Sequence, residues 1–228
     1  MAKHRQHRVS KGPEGRSERS ATGRGQPRTC PGCSSSATAW VKDGTSYVLC
    51  NDDKEVFCLE AGTGKIRWSV PGGGAGTPVV GGDYLVTAGA RHAYRMTPAK
   101  AEAVWERSGK NGTTAVIFDG HVYACEGKQF TCTALEGEGK ALWDQTGSFG
   151  GGTFVEYGSP ILADGKLFII GDRGLLTMIK ASPKAFALLG KMEKTGTANC
   201  TTPAIVDGMM FVRMNTHVAC FDLTQATE

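Results

Sequence analysis

Two cysteines with two residues between them, Cys30-Pro31-Gly32-Cys33, have the spacing that suits one half of a zinc site or a redox pair. A structural zinc needs four ligands, and no second pair of this kind and no paired histidines follow; His4 and His7 lie upstream. A redox pair belongs at a helix start in a βαβ context, which this chain lacks, so an adventitious disulfide is the alternative for Cys30 and Cys33. The other six cysteines, Cys50, Cys58, Cys125, Cys132, Cys200 and Cys220, fall in or beside predicted strands, where cysteine packs as a small hydrophobe. Their even number leaves disulfides open, with a connectivity that sequence cannot give. His92, His121 and His217 stand at strand edges far apart in the chain, without metal-ligand pairing. Asp52, Asp53, Asp83, Asp119, Asp164, Asp172 and Asp207 cluster where Asp serves turn chemistry. A calcium site needs six or more converging oxygens, and nothing in the spacing predicts that convergence. The expectation is no catalytic, cofactor-binding or metal site.

The elements that carry these residues come from a phrase that recurs five times. It runs Thr38-Ala39-Trp40-Val41-Lys42-Asp43-Gly44, Thr77-Pro78-Val79-Val80-Gly81-Gly82-Asp83, Thr114-Ala115-Val116-Ile117-Phe118-Asp119-Gly120, Ser159-Pro160-Ile161-Leu162-Ala163-Asp164-Gly165 and Thr202-Pro203-Ala204-Ile205-Val206-Asp207-Gly208, with starts 39, 37, 45 and 43 residues apart. A period near 40 signals stacked supersecondary units that cannot bury their own faces. Asp-Gly favours a tight hairpin turn because both turn residues need positive φ. Second strands follow at Tyr47-Val48-Leu49, Tyr84-Leu85-Val86, Val122-Tyr123-Ala124, Leu167 to Ile170 and Met210-Phe211-Val212, then third strands within about ten residues. A fourth strand ends in Trp68, Trp105 and Trp143, with Leu188 or Leu189 in the corresponding place of the fourth unit. Four antiparallel strands per unit describe a blade of a β-propeller, and the chain is predicted to be all-β, with four complete blades and a partial fifth. The 32 glycines, concentrated in turns and between blades, agree with that class.

The segment Cys58-Leu59-Glu60-Ala61-Gly62-Thr63-Gly64-Lys65-Ile66-Arg67-Trp68 resembles the tryptophan-docking motif of the pyrroloquinoline-quinone-type (PQQ-like) propeller repeat, with Cys58 and Glu60 in place of the motif's Ala and Asp. Leu135 to Trp143 keeps the Gly-Lys-x-x-Trp core, Met96 to Trp105 keeps the spacing and the Trp, and the fourth unit has no Trp. The resemblance covers residues 38 to 228 and implies that Trp68, Trp105 and Trp143 pack between neighbouring blades. That role suits a large flat ring with one N–H to satisfy. Trp143-Asp144 mimics the WD dipeptide without the preceding Gly-His. The glycine clusters at 72–74 and 150–152 lie between blades, unlike those of kelch repeats, whose period near 50 is also too long.

In the quinone-dependent dehydrogenases of this superfamily the quinone stacks between a Trp and a disulfide of adjacent cysteines, above a calcium ion. This chain has no adjacent cysteine pair. The resemblance therefore points to the non-catalytic, BamB-type branch, exported propellers that act as platforms for protein contacts in the cell envelope. A fragment of a PQQ-dependent dehydrogenase is the alternative. Loops on a stiff scaffold usually carry such contacts, and the connection from Gly147 to Tyr157 offers Phe149, Phe154 and Tyr157 among Gly150 to Gly152. These three aromatics are either partner contacts or tucked between the third and fourth blades. Without a recognisable closing strand, the blades are expected to form an open arc whose end faces promote self-association.

Residues 1–37 hold eight Lys or Arg against Glu14 and Glu18, a net charge of +6, whereas residues 38–228 carry a net charge of −2. The tail has almost no large apolar residue and should be disordered. It lacks the interleaved aromatics of a specific nucleic-acid binder, and the apolar segment of a secretory signal, although the resemblance implies an extracytoplasmic protein. No apolar run approaches the ~18 residues of a membrane-spanning helix. Limited trypsin digestion should trim the tail to a resistant core beginning near Thr38. A tail that is cut as slowly as the blades would refute its disorder.

Overall fold

The alternation of apolar residues along each repeated phrase decides how the sheets stack. In the computed structural model, which describes residues 35–109, 112–126, 129–146, 148–149, 152–153, 158–171, 174–192, 202–214 and 216–224, each phrase forms the first strand of an antiparallel sheet. Blade 1 consists of β1 (Thr38–Lys42), β2 (Thr45–Asn51), β3 (Glu55–Glu60) and β4 (Ile66–Pro71) in that spatial order. Blade 2 repeats the arrangement with β5 (Val79–Gly81), β6 (Tyr84–Val86), β7 (His92–Met96) and β8 (Ala101–Glu106), and blade 3 with β9 (Val116–Phe118), β10 (His121–Glu126), β11 (Gln129–Ala134) and β12 (Ala141–Thr146). A two-stranded ribbon, β13 (Ser148–Phe149) and β14 (Gly152–Thr153), precedes blade 4, formed by β15 (Ile161–Ala163), β16 (Lys166–Ile170), β17 (Leu176–Lys180) and β18 (Leu188–Met192). Blade 5 has three strands among the described residues, β19 (Ala204–Val206), β20 (Met209–Arg213) and β21 (Val218–Asp222). The result is an unclosed β-propeller of four complete blades and a partial fifth.

The first hairpins turn as the residue order dictates. Asp43, Asp119, Asp164 and Asp207 take φ of 50°, 47°, 49° and 49°, and the glycine after each is also at positive φ. In blade 2 the order is reversed to Gly82-Asp83, and only Gly82 is left-handed, at φ 59°. The demand for positive φ there falls on the first turn residue, where the glycine stands.

Successive side chains of a strand point to opposite faces, so the third and fifth positions of the phrase pack forward onto the next blade while the fourth packs backward. Val116 and Phe118 thus join the core shared by blades 3 and 4, while Ile117 belongs to the core shared with blade 2. Four apolar clusters result, each spanning one inter-blade boundary. Trp40, Leu49 and Trp68 meet Leu85 and Tyr94 between blades 1 and 2. Val86 and Trp105 meet Val122 and Leu135 between blades 2 and 3. Tyr123 and Phe130 meet Leu167 and Ile179 between blades 3 and 4, and Phe168 and Ile170 meet Met210 and Val212 between blades 4 and 5.

Each fourth-strand Trp reaches across its boundary. Trp68 Nε1 donates to the carbonyl of Thr97 at 3.0 Å, Trp105 Nε1 to those of Ala134 at 3.1 Å and Leu135 at 3.0 Å, and Trp143 Nε1 to that of Ser182 at 2.9 Å. In all three cases the acceptor lies at or just beyond the end of the third strand of the following blade. A bulge between third and fourth strands accompanies each Trp: Cys58 pairs with Trp68 but Leu59 with Ile66, and the same skip follows Ala93–Trp105 and Cys132–Trp143. Such a bulge re-aims the side chain beside it. In blade 4 the skip follows Met178–Gly190, so Gly190, and not Leu188 or Leu189, occupies the Trp position. Trp40 is also buried, packed against Tyr47 with ring centroids 5.0 Å apart, but its indole N–H has no partner among the described residues.

The hydroxyl that opens each phrase forms a second set of inter-blade links. The Ser36 N–H donates to Thr77 Oγ1, the Thr77 N–H to Thr114 Oγ1 and the Thr114 N–H to Ser159 Oγ, each at 3.0 Å. Thr38 Oγ1 donates to the Pro78 carbonyl at 2.6 Å. The inner strands are therefore tied blade to blade by Ser and Thr side chains, a role the repeated Thr or Ser signalled but hairpin logic alone did not reveal.

Trp68 is 9% exposed, so Trp68→Ala should leave a cavity and an unpaired Thr97 carbonyl, at a cost of about 3–5 kcal/mol. Denaturant unfolding will measure it. A midpoint shift no larger than that of a surface Lys→Ala control would refute the docking role.

Candidate functional site

Loops joining second to third strands, and the connections between blades, emerge on one face of the arc, opposite the Asp-Gly turns. On blades 1 to 3 these segments are interlocked. Gly73 lies so close to the 52–55 loop that a Cβ would come within 2.2 Å of the Asp52 carbonyl oxygen, and a Cβ on Gly76 would come within 2.0 Å of that of Thr113. Asp52 Oδ1 accepts from the backbone N–H groups of Lys54 and Glu55, both at 2.8 Å, shaping the 52–55 loop as an Asx turn does. Asn51 Nδ2 donates to the Gly74 carbonyl at 2.6 Å, so one amide holds the connection from blade 1 to blade 2.

Under this face lie two polar nodes, the first centred on a buried histidine and the second partly buried. In the first, His92 is 3% exposed, with Nδ1 3.2 Å from Thr87 Oγ1 and Nε2 3.2 Å from Glu106 Oε1. Thr87 Oγ1 also accepts from the His92 N–H at 3.1 Å, leaving its own proton to donate to Nδ1 and placing the ring proton on Nε2, toward Glu106. A hydroxyl, an imidazole and a carboxylate in this order resemble nucleophile machinery. Thr87, however, is fully buried, and a Cβ on Gly72 would meet its side chain at 2.5 Å. No substrate reaches that oxygen, and the trio acts as a brace for the loop at 87–91. Burial pushes the His92 pKa down, opposed by the hydrogen bond to Glu106, with Arg91 adding to the lowering. The neighbouring Tyr94 hydroxyl is raised to about 12 by burial and donates to the Pro71 carbonyl at 3.0 Å.

The second node joins blades 2 and 3. Arg107 donates to the Ala90 carbonyl through Nη2 at 2.8 Å and Nε at 3.2 Å, and to Thr133 Oγ1 at 2.9 Å. It also pairs with Glu126 at 2.7 Å and lies 5.0 Å from the centre of the Trp105 ring. Thr131 Oγ1 donates to the same Glu126 carboxylate at 2.8 Å. Ala90, 1% exposed, is held at φ 51°, a region that non-glycine residues rarely occupy. Its carbonyl is fixed by Arg107, and its N–H donates to the Thr87 carbonyl at 3.0 Å. Strain of this sort persists only where surroundings over-determine it. Sequence reading missed Arg107 and Glu126, because their pairing depends on a contact between blades that no local spacing encodes.

The residues singled out from sequence spread over this framework. Trp68, Trp105 and Trp143 lie in three successive boundaries. Phe149 is in β13 and its backbone pairs with Gly152, while Phe154 and Tyr157 lie outside the described residues, as do Cys30, Cys33, Cys200 and the tail to residue 34. His121 is in blade 3 and the exposed His217 in blade 5, so the three histidines do not converge. Cys50, Cys58, Cys125, Cys132 and Cys220 are free thiols. Burial raises Cys58 and Cys132 to about 11 and raises Cys125 further, the reverse of what a reactive thiolate requires. Among the described residues no three His, Cys, Asp or Glu side chains form a metal-binding group, and no helix is long and apolar enough to cross a membrane. The exposed groups on the face, among them Asp53, Lys54, Glu106 and Ser108, are polar.

Below its unfolded pKa of about 6.5, His92 takes up a proton more readily in the unfolded chain than in the fold. The stability it contributes is thus complete above that pH and is lost as pH falls through the lower folded value. Denaturant unfolding over a pH series should show wild type losing stability relative to His92→Gln as the pH drops below about 6.5. Parallel pH curves for the two proteins would refute this.

The family model described as "Outer membrane protein assembly factor BamB" matches residues 15–130. No curated protein matches the chain. Among solved structures, BamB from Moraxella catarrhalis superposes with a TM-score of 0.58 at 13% sequence identity, over 83% of this chain and 58% of that one. The likeness at that identity is one of fold, and the chain spans little more than half the length of that structure.

Proposed function

The chain belongs to the outer-membrane protein assembly factor BamB family, and we propose that within it the protein is a non-catalytic scaffold whose loop face holds a protein partner in the cell envelope. Its chief support is the interlocking of that face. Loops from blades 1, 2 and 3 are tied by glycine contacts too close for any side chain, and by Arg107 hydrogen bonds that fix a strained Ala90. A surface built in this way presents polar side chains with little ordering cost on binding, as a docking platform requires. The polar groups beneath it are occupied with one another, which fits positioning better than turnover. Phe149, Phe154 and Tyr157, on the connection from blade 3 to blade 4, would supply the aromatic anchors that contact sites favour.

Photo-crosslinkers placed at Asp53 and Ser108 on the loop face, and at Asp43 and Asp119 on the opposite turns, test the assignment in envelope extracts. The expected result is adducts from the loop-face positions alone, reduced when Phe154 and Tyr157 are replaced by Ala. Adducts confined to the turn positions would overturn the choice of face. Dye reduction by the purified chain with added pyrroloquinoline quinone and calcium would overturn the non-catalytic assignment in favour of a dehydrogenase.

A further inference from the structure

The loop at 87–91 is held in a strained form by ties to two blades. Within blade 2 the Thr87 N–H donates to the His92 carbonyl and the Ala90 N–H to that of Thr87, both at 3.0 Å. The Gly89 N–H donates to the Thr113 carbonyl at 2.8 Å, on the connection that leads into blade 3, and the Arg107 N–H to the Arg91 carbonyl at 2.7 Å. Ala90 is left at φ 51°, with its carbonyl in the grip of the Arg107 guanidinium.

One of these ties depends on a proton. Thr87 Oγ1 accepts from the His92 N–H and donates to His92 Nδ1, so the ring must be bare at Nδ1 for the hydroxyl to be satisfied. Protonation turns that acceptor into a donor. Two donors then face the Thr87 oxygen, and its own proton loses the nitrogen that received it. Thr87 is fully buried beneath Gly72, where a hydroxyl proton without an acceptor is costly.

The charged and titratable groups around the ring pull in opposite directions. Glu106, at the end of β8, lies 3.2 Å from Nε2 and favours the imidazolium, while Arg91, in the loop itself, opposes it. Tyr94 of β7 stacks on the ring with centroids 5.8 Å apart, and burial raises its hydroxyl to about 12, so it stays neutral. The connections at 72–76 and 112–115 bring no titratable side chain, and Arg107, which holds the Ala90 carbonyl, is paired with Glu126.

We propose that His92 is a proton-operated latch: when its ring is protonated, the Thr87–His92 tie breaks and the loop at 87–91 releases Thr113, loosening the loop face at acid pH. Ala90 favours the release, since a non-glycine residue held at positive φ relaxes once its ties are broken. The sign follows from linkage. The open loop takes up the proton near the ordinary histidine value of about 6.5, and the closed loop, where burial outweighs Glu106, only below it. The closed form is thus fully favoured above that pH and loses its advantage as pH falls toward the lower value. Regulation of partner binding rests on the docking role proposed above; the latch itself does not.

Hydrogen exchange of the full chain, read by mass spectrometry and corrected for the intrinsic pH dependence of exchange, tests the latch without any partner. Wild-type protection across 87–92 should fall at least about tenfold, the equivalent of one pKa unit, between about pH 7.5 and about pH 5, while that of β10 and β11 stays level. His92→Gln, which cannot titrate, should keep its protection at both pH values. Glu106→Gln removes the carboxylate that favours the imidazolium and should deepen the fall. The Glu106 side chain is 76% exposed, so this second variant decides the matter even if His92→Gln fails to fold. Equal wild-type protection at both pH values, the same fall in His92→Gln, a shallower fall in Glu106→Gln, or an equal fall throughout blades 2 and 3 would each overturn the latch. The platform is read separately, from the crosslinker at Ser108, whose wild-type adducts should drop at about pH 5 while those of His92→Gln should not. Adducts that persist beside an opened loop would overturn the regulation, whereas adducts at neither pH count against the platform and leave the latch to the exchange result.

Discussion

A four-stranded sheet of this size has two apolar faces and no way to cover either, and the rest of the molecule follows from that constraint. Each of the four cores lies between blades and draws on both neighbours. Stability in such a stack is close to a sum of nearest-neighbour terms, so what matters at each boundary is how well one forward face fits one rear face. The tryptophans serve that fit. They add the apolar area of an indole to the contact and place its single N–H on a carbonyl that would otherwise face a neighbour without a partner.

Much of this was legible in the sequence because the determinants are local. Asp-Gly at the end of four phrases specifies a two-residue turn, and the reversed Gly82-Asp83 moves the positive φ with the glycine. Trp68, Trp105 and Trp143 stand at a constant place in their units and occupy equivalent boundaries. What could not be read was register. The place left by the missing fourth Trp looks like Leu188 or Leu189 if residues are counted, but the bulge after Met178 shifts the pairing and puts Gly190 there. Counting fails because a bulge inserts a residue without a partner, and its position is fixed by packing that spans two blades.

The polar nodes show the same limit in another form. His92 stood out in the sequence as a titratable residue with no metal partner, and its environment could not be inferred, since Thr87 reaches it from the loop at 87–91, Glu106 from the end of β8, and the glycine connection covers Thr87. Arg107 and Glu126 carried no signal, being one basic and one acidic residue among many. Their importance arises from burial: the Arg107 guanidinium has lost most of its water, and burial lowers its pKa against the pull of Glu126. A cation so placed is tolerable only with its hydrogen bonds made, and the Ala90 carbonyl, Thr133 and Glu126 make them.

The boundary between blades 4 and 5 has a different composition from the others, and the difference bears on how the arc behaves as a whole. With Gly190 in the Trp position, no indole N–H crosses it from that strand, and its apolar cluster holds Met178, Met192, Met210 and Met214 beside Phe168 and Phe221. Methionine side chains fill irregular space but define a single arrangement poorly, having three rotatable bonds and no branch. Among the described residues the interlocked glycine contacts and the Arg107 node, by contrast, lie in blades 1 to 3. The described boundaries therefore differ in how narrowly their side chains define one arrangement. The loop face sits over the part where polar and aromatic links coincide. A platform gains from this, since its contact groups are ordered before a partner arrives. At the boundary of blades 4 and 5 methionines supply apolar packing where a Trp link stands in the other three.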